Sequence, residues 1–108
     1  MAWRWRRAIE KELRELELTF TQWLVLDATA DAIREQDDAV NQNAVAARVE
    51  LDRVTTSQVM RTLSERGLVD RGGDATGRAY RIILTRRGER LLRRANEVVE
   101  RATLELRR

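Results

Sequence analysis

The sequence contains neither cysteine nor histidine. The first absence excludes disulfides, thiol redox sensing and a nucleophilic cysteine; the two together exclude the nitrogen and sulfur ligands that most transition-metal sites use. Carboxylates remain, but the one adjacent pair of acids, Asp37-Asp38, falls in a polar connection with nothing around it that would tune a general acid. No phosphate-cradling loop or dinucleotide fingerprint occurs, so no enzyme is expected and no cofactor is implied. Apolar runs are all far shorter than a bilayer crossing, and no basic-then-apolar leader opens the chain. The expectation is a cytoplasmic protein with no membrane partner.

What is present is charge, unevenly distributed. A chain of 108 residues reads as one domain, near the size at which a partner subunit commonly supplies part of the core. The formal net charge of +3 hides an asymmetry: residues 1–52 carry 7 basic and 11 acidic side chains (−4), residues 53–94 carry 11 arginines and 4 acids (+7), and residues 95–108 carry 3 of each. A polyanion suits the middle segment, and affinity built on phosphate neutralisation falls steeply with salt.

That segment also holds the strongest local pattern. Asp52 can cap a helix that ends where Gly67 can adopt the left-handed conformation. Thr56, Val59, Met60 and Leu63 form its inward stripe, while Arg53, Thr55, Gln58, Arg61 and Thr62 face outward with no acid between Arg53 and Ser64. Residues 68–71 and 78–84 read as an antiparallel hairpin, with Tyr80, Ile82 and Leu84 alternating and the turn formers of 72–77 between the runs. Arg78 lies at the tip, where it suits a narrow groove or a phosphate wall; the competing reading pairs it with Asp74 or Asp70. Together, Leu51–Thr85 describe a helix-turn-helix with a wing.

The remaining segments read as its frame. Trp5, Ile9, Leu13 and Leu16 make residues 3–16 an amphipathic helix. Thr19 and Gln22 form a capping box, Leu18 is placed to close on Trp23, and Trp23, Leu26, Ala30 and Ile33 form the buried stripe of a helix that stops at Gln36-Asp37-Asp38. Asn41 caps a short supporting helix with Val45, Ala46 and Val49 inward, and Glu50-Leu51 makes the tight corner.

Thr85 caps a last helix running to about Leu106, in which Leu92, Val99 and Leu106 recur every seven residues with Ala95 and Ala102 between, widened by Leu91 and Val98. Such a seam implies dimerisation through this helix together with the first; the alternative is that it packs on its own first helix. Trp3 and Trp5 point to different sides of their helix, so one is exposed or covered by another chain, and a subunit interface is favoured over DNA contact.

These parts resemble the MarR family of bacterial winged-helix regulators over roughly residues 5–106. Leu18-Thr19-Phe20-Thr21-Gln22-Trp23-Leu24-Val25-Leu26 is similar to the family's L-T-x-x-Q-W-x-V-L segment, Asn41 to Val49 to its supporting helix, and Leu51-Asp52 through Leu63 with Gly67-Leu68-Val69 to its reader helix and first wing strand. Ile82-Ile83-Leu84-Thr85-Arg86-Arg87-Gly88 is similar to its closing strand and L-T-x-x-G helix start.

The resemblance implies a mostly α, α+β winged helix-turn-helix domain over 1–108. Residues 19–84 would form the helix-turn-helix and wing, and 1–17 and 86–108 the dimerisation helices. It implies a homodimer on double-stranded DNA with a pseudo-palindromic operator, usually as a repressor. Thr55, Gln58, Arg61 and Thr62 would then face the major groove and Arg78 the minor groove. Asn41, Gln42, Arg53 and Arg66 are the candidate phosphate contacts, and Trp5, Ile9, Leu92, Val99 and Leu106 the candidate dimer interface. Thr76 replaces the family's usual wing aspartate, and the chain stops at Arg108 before the family's second C-terminal helix. No cysteine is present for oxidant sensing. A small-molecule effector, anionic and aromatic, would sit near Trp23 and the arginine-rich start of the last helix. The competing class is a winged helix used as a protein-interaction module, with Trp3, Trp5 and the last helix as its surface.

Overall fold

The computed structural model describes residues 2–73 and 80–107. The apolar spacing through Ile9 and Leu13 winds Ala2–Arg14 into α1, which ends two residues before the pattern predicts. It ends early because Glu17 turns left-handed (φ 57°) and the Leu18 N–H closes on the Leu13 carbonyl at 3.1 Å, which rotates Leu18 into the core.

The capping box at Thr19 is present: the Thr19 hydroxyl accepts from the Gln22 N–H at 3.0 Å, and the Gln22 side chain accepts from the Thr19 N–H at 3.0 Å. It opens α2, Phe20–Gln36. Trp23, Leu26 and Ala30 are buried as the stripe predicts, but so are Val25, Thr29 and Ala32. The helix sits at the centre of the fold and touches every other helix, so more than one face is covered. The buried Thr29 hydroxyl is satisfied by donating to the Val25 carbonyl at 2.7 Å.

After Asp37 (φ 55°) the chain forms a two-residue strand, β1, Val40–Asn41. Two residues carry no readable periodicity, and β1 has no counterpart in the sequence reading. Helix α3, Gln42–Val49, is capped by Asn41, and helix α4, Arg53–Glu65, by Asp52. Both end as α1 does. Glu50 (φ 57°) precedes a Leu51 N–H to Ala46 carbonyl bond of 3.1 Å, and Gly67 (φ 73°) precedes a Leu68 N–H to Leu63 carbonyl bond of 2.9 Å.

Strands β2, Val69–Gly73, and β3, Tyr80–Leu84, pair antiparallel from Val69 opposite Leu84 to Gly73 opposite Tyr80. The sheet order is β1-β3-β2, with Val40 opposite Ile82, so the wing hairpin is braced at its base by a third strand. Ile82 is buried while Arg81 and Ile83 face out. The expected wing tip, with Asp74, Thr76 and Arg78, lies outside the described residues.

Helix α5, Arg86–Leu106, starts at a Thr85 cap and runs antiparallel to α1, giving a molecule 51 Å long. Ile9, Leu92 and Val99, the residues expected at a subunit interface, are buried within the single chain, where α5 packs along both α1 and α2. Trp5 is half-buried, its indole N–H donating to Thr103 Oγ1 at 2.8 Å and its ring lying edge-on to Phe20. What stays exposed at that end is Trp3 (61%), Leu104 (53%) and Leu106 (40%). Among the described residues no helix is long and apolar enough to cross a membrane.

Candidate nucleic-acid interface

Helix α4 is held by its caps and by its inner stripe, and both bear on what its outer face can do. Thr56, Met60 and Leu63 are fully buried, so the helix cannot rotate without exposing them. Asp52 binds the first turn with its carboxylate: it accepts the Thr55 N–H at 2.6 Å and the Thr55 hydroxyl at 2.9 Å. The backbone bond first, and then the hydroxyl, hold the Asp52 carboxyl below its ordinary value.

These bonds sort the expected base readers. The Thr55 hydroxyl proton is committed to Asp52, and the Thr62 hydroxyl donates back to the Gln58 carbonyl at 3.3 Å; both side chains are half-covered. Gln58 and Arg61 are exposed, and their side chains make no hydrogen bond or ion pair among the described residues. They lie directly opposite the buried stripe, a glutamine amide and a guanidinium that can each donate to base edges in a major groove.

The candidate phosphate contacts also divide. Arg53 is exposed at the first turn of α4. Asn41 uses its side-chain oxygen to accept the Asn43 N–H at 2.7 Å, and Gln42 uses its own to accept from Arg71 at 3.2 Å; among the described residues the amide nitrogen of neither is hydrogen-bonded. Arg66 is placed differently from its expected role. Its guanidinium donates to the carbonyls of Glu17 at 2.6 Å and Leu16 at 3.4 Å, tying the end of α4 to the turn after α1. Sequence spacing could not reveal this, because the partners lie about fifty residues away.

Arg71 was not singled out by the sequence reading, yet from β2 it reaches both Gln42 on α3 and Ser57 on α4 (3.4 Å), locking wing and helices into one body. Arg81 does the same for β3, donating to Asp38 at 3.2 Å and to the Ala39 carbonyl at 2.8 Å. The base of the wing is thus rigidly registered to α3 and α4. A duplex meeting α4 would find the base of the wing already positioned.

Behind this face, Trp23 donates its indole N–H to Asn96 Oδ1 at 2.8 Å, and Asn96 Nδ2 donates to Asp27 at 3.2 Å. The Trp23 ring is enclosed by Trp5 and Phe20. Trp23 itself is therefore closed to a ligand, but Asn96 borders a groove of about 430 Å³ lined also by Arg34, Leu84, Leu92 and Arg93. The other arginines at the start of α5 face elsewhere: Arg87, Arg90 and Arg94 border a second groove of about 400 Å³ beside Arg66.

Burial pushes the Asp27 carboxyl above its ordinary value, partly offset by the Asn96 hydrogen bond. A raised folded-state value means that the contribution of Asp27 to stability is complete at acid pH and is lost as pH rises through that value. Asp27→Asn should therefore be more stable than the parent at neutral pH, with the difference shrinking on acidification. Thermal melts at several pH values read this directly; a difference that grows toward acid would contradict it.

Comparisons of sequence and fold place this geometry among known proteins. The sequence model of the MarR family matches residues 16–79. A MarR-family transcriptional regulator from Rhodococcus sp. RHA1 is 32% identical with a TM-score of 0.83, the match covering 94% of this chain and 69% of that one. CouR from Rhodococcus jostii RHA1, solved bound to p-coumaroyl-CoA, is 31% identical with a TM-score of 0.81, covering 94% and 68%. MepR of S. aureus, solved with DNA, shares the fold at a TM-score of 0.82 and 23% identity, covering 97% and 75%.

Proposed function

The chain belongs to the MarR family of transcriptional regulators, and from that membership we propose that it binds a pseudo-palindromic DNA operator as a homodimer and acts as a repressor. The observation that carries this reading is the outer face of α4: Gln58 and Arg61 are exposed and, among the described residues, unengaged, opposite a fully buried stripe and on a face with no acid from Arg53 to Ser64. The acid-free surface suits phosphates; the two free donor groups suit base edges.

The partner surface in this reading is the end of the α1–α5 pair where Trp3, Leu104 and Leu106 are exposed. A second copy would cover them and set the spacing of the two α4 helices. An effector, as the p-coumaroyl-CoA bound to CouR supports, would occupy the groove between α2 and α5 beside Asn96, Arg34 and Arg93. Wedged there, it would act on the joint between the α1–α5 pair and the DNA-facing helices.

Selection of bound sequences from a random duplex pool tests the core of this reading, and an enriched palindrome is the expected result. Gln58→Ala and Arg61→Ala should each relax preference at one base pair per half-site, by about 1–3 kcal/mol of discrimination. A monomer with no salt-dependent duplex binding would instead support a protein-interaction module.

A further inference from the structure

Val54 is 68% exposed, the most exposed large apolar side chain among the described residues. It lies in the first turn of α4, four residues before Gln58 and seven before Arg61, so the three share one line along the helix. That line is diametrically opposite Thr56, Met60 and Leu63.

Nothing in the fold requires a valine here. Its side chain contributes nothing to the core, and a β-branched residue in an exposed helical turn is a poorer helix former than alanine or a charged residue. Single exposed apolar residues are common on protein surfaces; the position of this one sets it apart. Its isopropyl group is held stiffly by branching at Cβ, stands between Arg53 and the Gln58–Arg61 pair, and occupies the helix end that normally meets base edges. Thr55, the neighbour with a hydroxyl to offer, is turned into its bond with Asp52.

We propose that Val54 is a specificity-determining residue that packs against the C5 methyl of a thymine in the major groove. This rests on the DNA-binding reading above and extends it to the one apolar element of the reading line. In the major groove the thymine methyl is the apolar mark that distinguishes an A·T pair, and an aliphatic side chain recognises it by excluding water from both surfaces. The acid-free, arginine-flanked face supplies the charge complementarity that brings the duplex to it. The same chemistry makes the residue a reader of cytosine methylation, since 5-methylcytosine carries its methyl in the same place.

Selection from a random duplex pool provides the starting operator, and each thymine of a half-site is then replaced singly by deoxyuridine, which lacks only the methyl. For the parent protein, one position per half-site should weaken binding by about four-fold, the expected loss for one buried methyl-sized group. Val54→Ala should bind the thymine and deoxyuridine duplexes equally at that position while keeping the base preference that depends on Gln58. Placing 5-methylcytosine there in place of cytosine should strengthen binding by the parent and leave Val54→Ala unchanged. Because the side chain is outside the core, the variant should melt as the parent does. If parent and variant respond identically to deoxyuridine at every position, the assignment is overturned while sequence-specific binding stands; if no duplex is enriched, the DNA-binding reading falls and takes the assignment with it.

Discussion

Gly88→Ala is expected to lower the unfolding free energy by about 3–4 kcal/mol, combining overpacking against rigid backbone with damage to a helix cap. A Cβ at position 88 would lie 2.0 Å from the Leu68 carbonyl oxygen and 2.9 Å from its carbon. Neither neighbour is a flexible side chain that could swing away. The same junction holds three hydrogen bonds: Thr85 Oγ1 donates to the Gly67 carbonyl at 2.6 Å, the Thr85 N–H to the Leu68 carbonyl at 3.2 Å, and the Gly88 N–H to Thr85 Oγ1 at 2.9 Å. Backing α5 away to admit a methyl group would stretch all of them and disturb the start of β2. Urea denaturation reads the effect as a lower midpoint with an unchanged slope; a midpoint equal to the parent's would show that α5 does not approach Leu68 this closely.

Trp23→Ala is expected to cost about 3–5 kcal/mol, the range for emptying a large aromatic site. The ring packs between Trp5 and Phe20, at centroid separations of 6.5 and 5.7 Å, and joins α2 to both α1 and α5. Trp23→Phe separates packing from hydrogen bonding. It keeps most of the aromatic contact but removes the donor to Asn96, and should cost about 1–2 kcal/mol. If the two substitutions were equally harmful, the Asn96 bond rather than the ring packing would dominate the joint. Since Asn96 borders the proposed effector groove, Trp23→Phe should also alter the effect of any ligand on DNA affinity while leaving affinity without ligand near the parent value.

The features legible in the sequence share one physical property: they act over three or four residues. Thr19 with Gln22, Asn41, Asp52 and Thr85 are helix starts whose donors and acceptors are chain neighbours, and Gly67 is a stop decided by its own φ. The reader helix, its inward stripe and its exposed polar face were legible for the same reason. Local chemistry was also the limit. Glu17 and Glu50 take the same left-handed turn as Gly67 with no glycine to announce it, because the closing hydrogen bonds, with the burial of Leu18 and the partial burial of Leu51, outweigh the strain.

What depended on distant partners was not legible. Gly88 could be matched to a motif, but the carbonyl that forbids a side chain there belongs to Leu68, twenty residues earlier. Arg66 and Arg71 have the composition of DNA contacts, yet their guanidinium groups are engaged with Leu16 and Glu17, and with Gln42 and Ser57. Val54 lies opposite the inward stripe in sequence spacing, but only the packed structure shows that no other element covers it, leaving it 68% exposed.

By itself the sequence determined which segments are helices, where the reader helix begins and stops, where basic charge collects, and the family to which these belong, since periodicity, capping and charge are properties of neighbouring residues. The tertiary structure alone showed that α1 packs along α5 within one chain, covering the seam from Leu92 to Ala102 and leaving Leu106 at its end exposed. A seam specifies an apolar partner and not which one, and that α1 is such a partner follows only from its packing, with Ile9 and Leu13 fully buried.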